Sequence, residues 1–138
     1  MFKWLAVGAA VMVAIPLALL FLVSAVAMPS VAGTGLTGGP SELALSDIPP
    51  AYLVLYLNAA QTCPGLPWGV LAGIGKVESD DGRSDAPGVH SGANFAGAEG
   101  PMQFEPGTFA QYAVDADTAA PLSVYDPADA IYTAAAML

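Results

Sequence analysis

Basic residues are nearly missing from this chain. Lys3, Lys76 and Arg83 stand alone among 138 residues, against twelve Asp and Glu. All twelve acids lie after the apolar N-terminus, so the part beyond residue 28 holds two basic residues and a formal charge of −10. Such a surface lacks the basic footprint that nucleic-acid binding needs, and it excludes nucleic acid as a partner. Cysteine is as scarce. Cys63 is the single one, so no internal disulfide and no four-ligand zinc site can form, and it reads as a buried, inert thiol. His90 is the one histidine. No second base accompanies it, and it reads as a loop hydrogen-bonder rather than a catalyst.

Charge is also absent from Trp4 to Met28, a run of 25 residues. A bilayer needs about 20 apolar residues, and membrane helices tolerate a proline such as Pro16. Lys3 precedes the run, so the positive-inside rule leaves the N-terminus in the cytoplasm and the acidic remainder outside. Ala25-Val26-Ala27 has the form of a signal-peptide cleavage site, and a secreted product is the alternative. The run is longer than the usual signal core, which favours a single uncleaved transmembrane anchor over residues 1–28. Residues 29–48 are rich in glycine, proline, serine and threonine without apolar periodicity, and read as a flexible linker. Residues 49–138 then form the domain.

That domain reads as mainly α. Ser46-Asp47-Ile48-Pro49-Pro50 is a helix start, and the helix is expected from Pro49 to Gln61 with Tyr52, Leu55, Tyr56 and Ala59 as its core stripe. Thr62 to Pro67 breaks it. A second helix follows over Trp68 to Ser79, where Gly69, Gly73 and Gly75 suggest close approach of another backbone. Asp80 to Glu99 is a long glycine-rich loop of the kind that is often functional. Pro106 opens a short helix to Tyr112 with Phe109 inward. Asp126-Pro127-Ala128-Asp129 has the cap, first-turn proline and third-position acid of a last helix running to Leu138.

Glu78 interrupts this pattern. On a helix it shares one face with Leu71 and Ile74 at i, i+3 and i+7. An acid in line with an apolar stripe points into a cleft or core. Partial burial there, and the negative end of the helix dipole, would both raise its pKa toward that of a general acid. The other reading turns Glu78 outward, with Asp80, Asp81 and Arg83 as a solvated patch. Asn94 and Phe95 are an amide and an aromatic suited to sugar hydroxyls and sugar faces, or are turn and core residues. Gly100 has no side chain, so a ligand or Glu78 can come close. Gln103 offers a donor and an acceptor.

Leu71-Ala72-Gly73-Ile74-Gly75-Lys76-Val77-Glu78-Ser79, Gly100-Pro101-Met102-Gln103-Phe104 and Tyr125-Asp126-Pro127-Ala128-Asp129-Ala130-Ile131, in this order, resemble a lytic murein transglycosylase. The likeness is to the lysozyme-like domains that actinobacteria and their mobile elements carry. Three ordered blocks are far more specific than one. The resemblance covers roughly residues 49–138. It implies a lysozyme-like helical fold, peptidoglycan glycan strands as the partner, and Glu78 as catalytic acid and base. It places Gln103 in the cleft near Glu78, with Gly100, Asn94 and Ser79 as further substrate contacts. No cofactor is implied.

The resemblance also marks departures. Asp115, Asp117 and Asp126 look like the remains of a calcium loop, but Ala119-Ala120-Pro121 replaces its continuation, and no metal site is expected. Glu105 stands where an apolar residue is usual. Relatives continue with further helices that close the cleft, so the domain reads as incomplete at its C-terminus, and a cysteine partner for Cys63 would lie just beyond Leu138. The expected activity is cleavage of the MurNAc–GlcNAc bond with 1,6-anhydromuramic ends. The alternatives are an inactive or wall-binding component of a secretion, conjugation or phage-related apparatus, and a lysozyme-type hydrolase. The hydrolase needs a second carboxylate, for which Asp80, Asp81, Glu99 and Glu105 are candidates.

Overall fold

A computed structural model describes residues 38–118 and 120–138. The anchor or signal segment expected over 1–28 lies outside the described residues. Among those that are described, no helix is long and apolar enough to cross a membrane.

Among the described residues five helices follow one another: α1 (Glu42–Asp47), α2 (Pro50–Ala60), α3 (Trp68–Ser79), α4 (Pro106–Tyr112) and α5 (Pro127–Met137). Their starts are written in the sequence. Pro50, Pro106 and Pro127 each occupy a first-turn position, where a missing N–H costs nothing. Asp126 adds a side-chain cap, its carboxylate accepting from the N–H groups of Ala128 and Asp129. The short α1 lies inside the stretch expected to be linker. Ser41 caps it by accepting from Ala44 N–H at 3.2 Å, and Ser46 and Asp47 belong to its last turn rather than to the start of α2. The Trp68 indole N–H donates to the Gly38 carbonyl at 2.8 Å, which ties the chain before α1 to the head of α3.

α2 packs against both α3 and α5, and α4 packs on α5. Tyr56 and Ala59 of the expected stripe are fully buried and Leu53 joins them, whereas Tyr52 and Leu55 are half-buried. Leu71 from α3 and Ala130, Ile131 and Ala135 from α5 complete the centre. Each large apolar side chain so buried contributes roughly 1.5–3 kcal/mol. Gly75 serves this packing. A Cβ there would overlap the Tyr56 hydroxyl, so the group that approaches α3 at Gly75 is a side chain and not a backbone. Gly73 faces open space.

The segment between α4 and α5 has no regular structure, and two buried polar residues of α5 hold it. Thr133 Oγ1 accepts from Val114 N–H at 2.9 Å. Asp129 accepts from Ala116 N–H at 2.9 Å and from Ser123 N–H at 2.8 Å, one bond to each oxygen. A buried carboxylate satisfied in this way closes the loop onto the helix.

Candidate active site

Three residues of α3 climb out of the core along one face. Leu71 is fully buried, Ile74 is half-buried and Glu78 is exposed. The i, i+3, i+7 spacing aligns them as expected, but the stripe ends at the rim. Glu78 is therefore exposed rather than buried in the free protein. Its side chain borders a groove of about 370 Å³. Ile74, Met102, Phe104 and Ala134 form the apolar floor, and Glu78, Gln103 and Glu105 bring the polar groups.

The second motif enters this groove through a tight turn. Glu99 and Phe104 pair across it, with Glu99 N–H donating to Phe104 O at 2.9 Å and Phe104 N–H to Glu99 O at 2.8 Å. The turn needs left-handed backbone at Gly100, with φ of 77°, and at Gln103, with φ of 48°. Gly100 is buried, and a Cβ on it would overlap the Val124 carbonyl. Its missing side chain thus makes room for the loop before α5, and not for a ligand or for Glu78. Gln103 remains half-buried at the groove. Its Nε2 donates to Gly100 O at 2.8 Å, and its Oε1 accepts from Asn94 Nδ2 at 2.8 Å. Asn94 thereby touches Gln103 and does not line the groove; neither does Phe95, which is fully exposed.

Ser79 points the other way. It is buried, with Oγ accepting from Gly82 N–H at 2.8 Å and set 3.4 Å from the Gly75 carbonyl. It closes the end of α3 and does not line the groove. The helix stops because Asp80, Asp81 and Gly82 all take positive φ. Asp80 N–H returns to Lys76 O and Asp81 N–H to Gly75 O, which satisfies the last carbonyls.

The solvated patch expected after α3 exists, but without Glu78 and without Asp81 at the surface. Asp80 Oδ1 meets Lys76 Nζ and an Arg83 guanidinium nitrogen, each at 2.7 Å, and Lys76 also reaches Asp47 at 2.9 Å. The Arg83 hydrogen bond and then that of Lys76 hold the Asp80 carboxyl well below the usual carboxylate range. Asp81 is buried at 1% exposure, a placement the sequence did not announce. The Tyr56 hydroxyl donates to its Oδ1 at 2.8 Å, while Oδ2 has no hydrogen-bond partner and lies 3.7 Å from Arg83. Burial pushes the Asp81 carboxyl up. It pushes the Tyr56 hydroxyl further still, with the Asp81 hydrogen bond as the next cause.

Of the four candidates for a second carboxylate, Glu105 is the one that lines the Glu78 groove. It is the N-cap residue of α4, yet its side chain makes no capping bond. Asp126 is committed to capping α5, and among the described residues no group of three or more His, Cys, Asp or Glu could hold a metal ion.

The helical arrangement is similar in fold to solved lytic transglycosylases. Two structures of the Escherichia coli lytic transglycosylase Slt35, one in complex with bulgecin A and one in complex with calcium, match it with a TM-score of 0.50 and 23% identity each. The matches cover 66% of this chain and 44% and 45% of those chains, so it spans less than half their length. No protein-family model and no curated protein sequence matches the chain.

Proposed function

We propose that this chain is a peptidoglycan lytic transglycosylase domain that cleaves the MurNAc–GlcNAc bond and leaves 1,6-anhydromuramic ends. The observation that carries the reading is that Glu78 and Gln103, from two motif blocks on different elements, line one groove. The Slt35 complex with bulgecin A is a neighbour in fold, which supports a groove made for a small ligand.

In this mechanism the sugar itself supplies what the free protein lacks. A glycan seated on the apolar floor displaces water from around Glu78. Glu78 gives its proton to the leaving glycosidic oxygen. The resulting carboxylate then takes the proton of the muramic 6-hydroxyl as that oxygen attacks the anomeric carbon. Nucleophile and electrophile share one sugar, so the attack has a large effective concentration and needs neither external water nor a second acid. Gln103 holds the sugar.

Glu105 favours a second reading. A carboxylate in the same groove is what a lysozyme-type hydrolase would use to activate water or to attack the anomeric carbon. Mass spectrometry of peptidoglycan digested with the protein separates the two. Anhydro ends, one water lighter than reducing ends, support the transglycosylase, and reducing ends support the hydrolase. Binding to purified peptidoglycan without either product would instead support a wall-binding component. We further propose that the domain is exported and held at the membrane by the uncharged run from Trp4 to Met28. Protease added to intact expressing cells without an outer membrane should digest residues 49–138, and protection of that part would overturn this placement.

A further inference from the structure

The hydrogen bonds around Asn94 run in one direction only. The backbone N–H groups of Ala96 and Ala98 both end on one atom of its side chain, at 2.8 and 3.0 Å. Backbone N–H can only donate, so that atom is the carbonyl oxygen Oδ1, and Nδ2 must face Gln103. An amide nitrogen can only donate, so the Gln103 atom that it meets at 2.8 Å is Oε1. Gln103 Nε2 is then left to face the Gly100 carbonyl, at 2.8 Å, and a carbonyl can only accept. The polarity of both amides follows from two backbone groups at one end and one carbonyl at the other.

Each polar atom of Asn94 takes part in at least one of these bonds. Its own N–H donates to Ala98 O at 2.9 Å and its carbonyl accepts from Gly97 N–H at 3.0 Å. Gln103 has more to spare. After these bonds it keeps one Nε2 proton and one Oε1 lone pair, fixed in direction. Its positive φ is a conformation that a non-glycine residue holds only when its surroundings over-determine it.

We infer that Asn94 is a positioning residue, which fixes the polarity of the Gln103 amide and so decides where the groove offers a donor and where an acceptor to the glycan. The inference rests on the transglycosylase reading for its ligand, but not for its geometry. The matching ligand group is a sugar hydroxyl or acetamido group, either of which donates and accepts at adjacent points.

Asn94→Asp isolates the effect. It keeps the shape and the acceptor for Ala96 and Ala98, but sets an oxygen against Gln103 Oε1, so the Gln103 amide must turn over or leave. In nitrogen-15 NMR of the full domain, the two Gln103 side-chain amide protons should shift and exchange faster in this variant, while the Ala96 and Ala98 amides stay protected. On glycan strands KM should rise about 2- to 10-fold, the worth of one hydrogen bond, with kcat little changed. Unmoved Gln103 amide signals would overturn the inference. So would a loss of Ala96 and Ala98 protection together with the Gln103 change, because Asn94 would then be a loop residue only. If the parent protein cleaves no glycan, the proposed activity falls while the NMR measurement still decides the positioning.

Discussion

The Tyr56 hydroxyl donates to Asp81 Oδ1 at 2.8 Å across 25 residues of sequence, and so ties the middle of α2 to the turn that ends α3. Both groups are buried. Tyr56→Phe leaves the carboxylate oxygen without its donor, which costs about 1–3 kcal/mol. For a unit of this size that lowers Tm by roughly 4–8 °C per kcal/mol. A melting temperature equal to the parent's would show that water replaces the hydroxyl at no cost.

Gly75 faces the same hydroxyl. Gly75→Ala should destabilise strongly in the parent, because the new methyl overlaps the Tyr56 oxygen. The same substitution should cost less in a Tyr56→Phe background. A double-mutant cycle reads this as a coupling of about 0.5–3 kcal/mol, and simple additivity would mean that the helices move apart instead.

Asp80 and Asp81 are neighbours in sequence that titrate in opposite directions. Folding raises the Asp81 pKa, so its contribution is fully present below the ordinary value of 3.8 and is lost as pH rises through the folded value. Folding lowers the Asp80 pKa, so its contribution is present above 3.8 and is lost as pH falls. Asp81→Asn is therefore expected to be more stable than the parent at pH 7, and Asp80→Asn less stable. The Asp81→Asn difference should fade as pH falls toward 3.8, and the Asp80→Asn difference as pH falls below it. Denaturant unfolding at several pH values measures them, and an Asp81→Asn protein weaker than the parent at pH 7 would mean that the Arg83 attraction outweighs the burial.

Glu78 is exposed, so Glu78→Gln should change stability by no more than about 0.5 kcal/mol. Its effect on glycan cleavage should be a loss toward the upper end of about 10²–10⁴-fold, because one carboxyl serves both proton transfers. Turnover of purified peptidoglycan checks it. An active Glu78→Gln protein would transfer the role of acid to Glu105, across the same groove.

Much of this architecture was legible from punctuation in the sequence. α3 and α4 begin and end where Pro67, Asp80 and Pro106 say they should, and the cap at Asp126 fixes the start of α5. α1 was not legible, since six residues capped by one serine leave no periodic signal within a glycine-rich stretch. At the site, the resemblance implies that Gln103 lies near Glu78, and both line one groove, but the burial of Asp81 was not legible. It depends on two successive left-handed residues, Asp80 and Asp81, which turn one carboxylate out and the next one in. The packing of Gly100 and Asn94 was not legible either, because the partners that define it, Val124 for the glycine and Gln103 for the amide, are distant along the chain.

The loop that leaves Glu78 is held at its beginning, its middle and its end. The cap bonds at Asp80 and Asp81 hold its beginning, Gly100 N–H to Gly88 O holds its end, and the Tyr125 hydroxyl to Gly92 O holds its middle. Asp85 to Pro87, and Phe95 with Ala96, are exposed between those pins. Exposed tips of this sort are where chains accept inserted sequence. A short peptide tag spliced at Asp85–Pro87 should therefore leave the distance from Glu78 to Gln103 untouched, which makes that tip a graft point for tethering the domain to a surface or for lengthening its reach along a glycan.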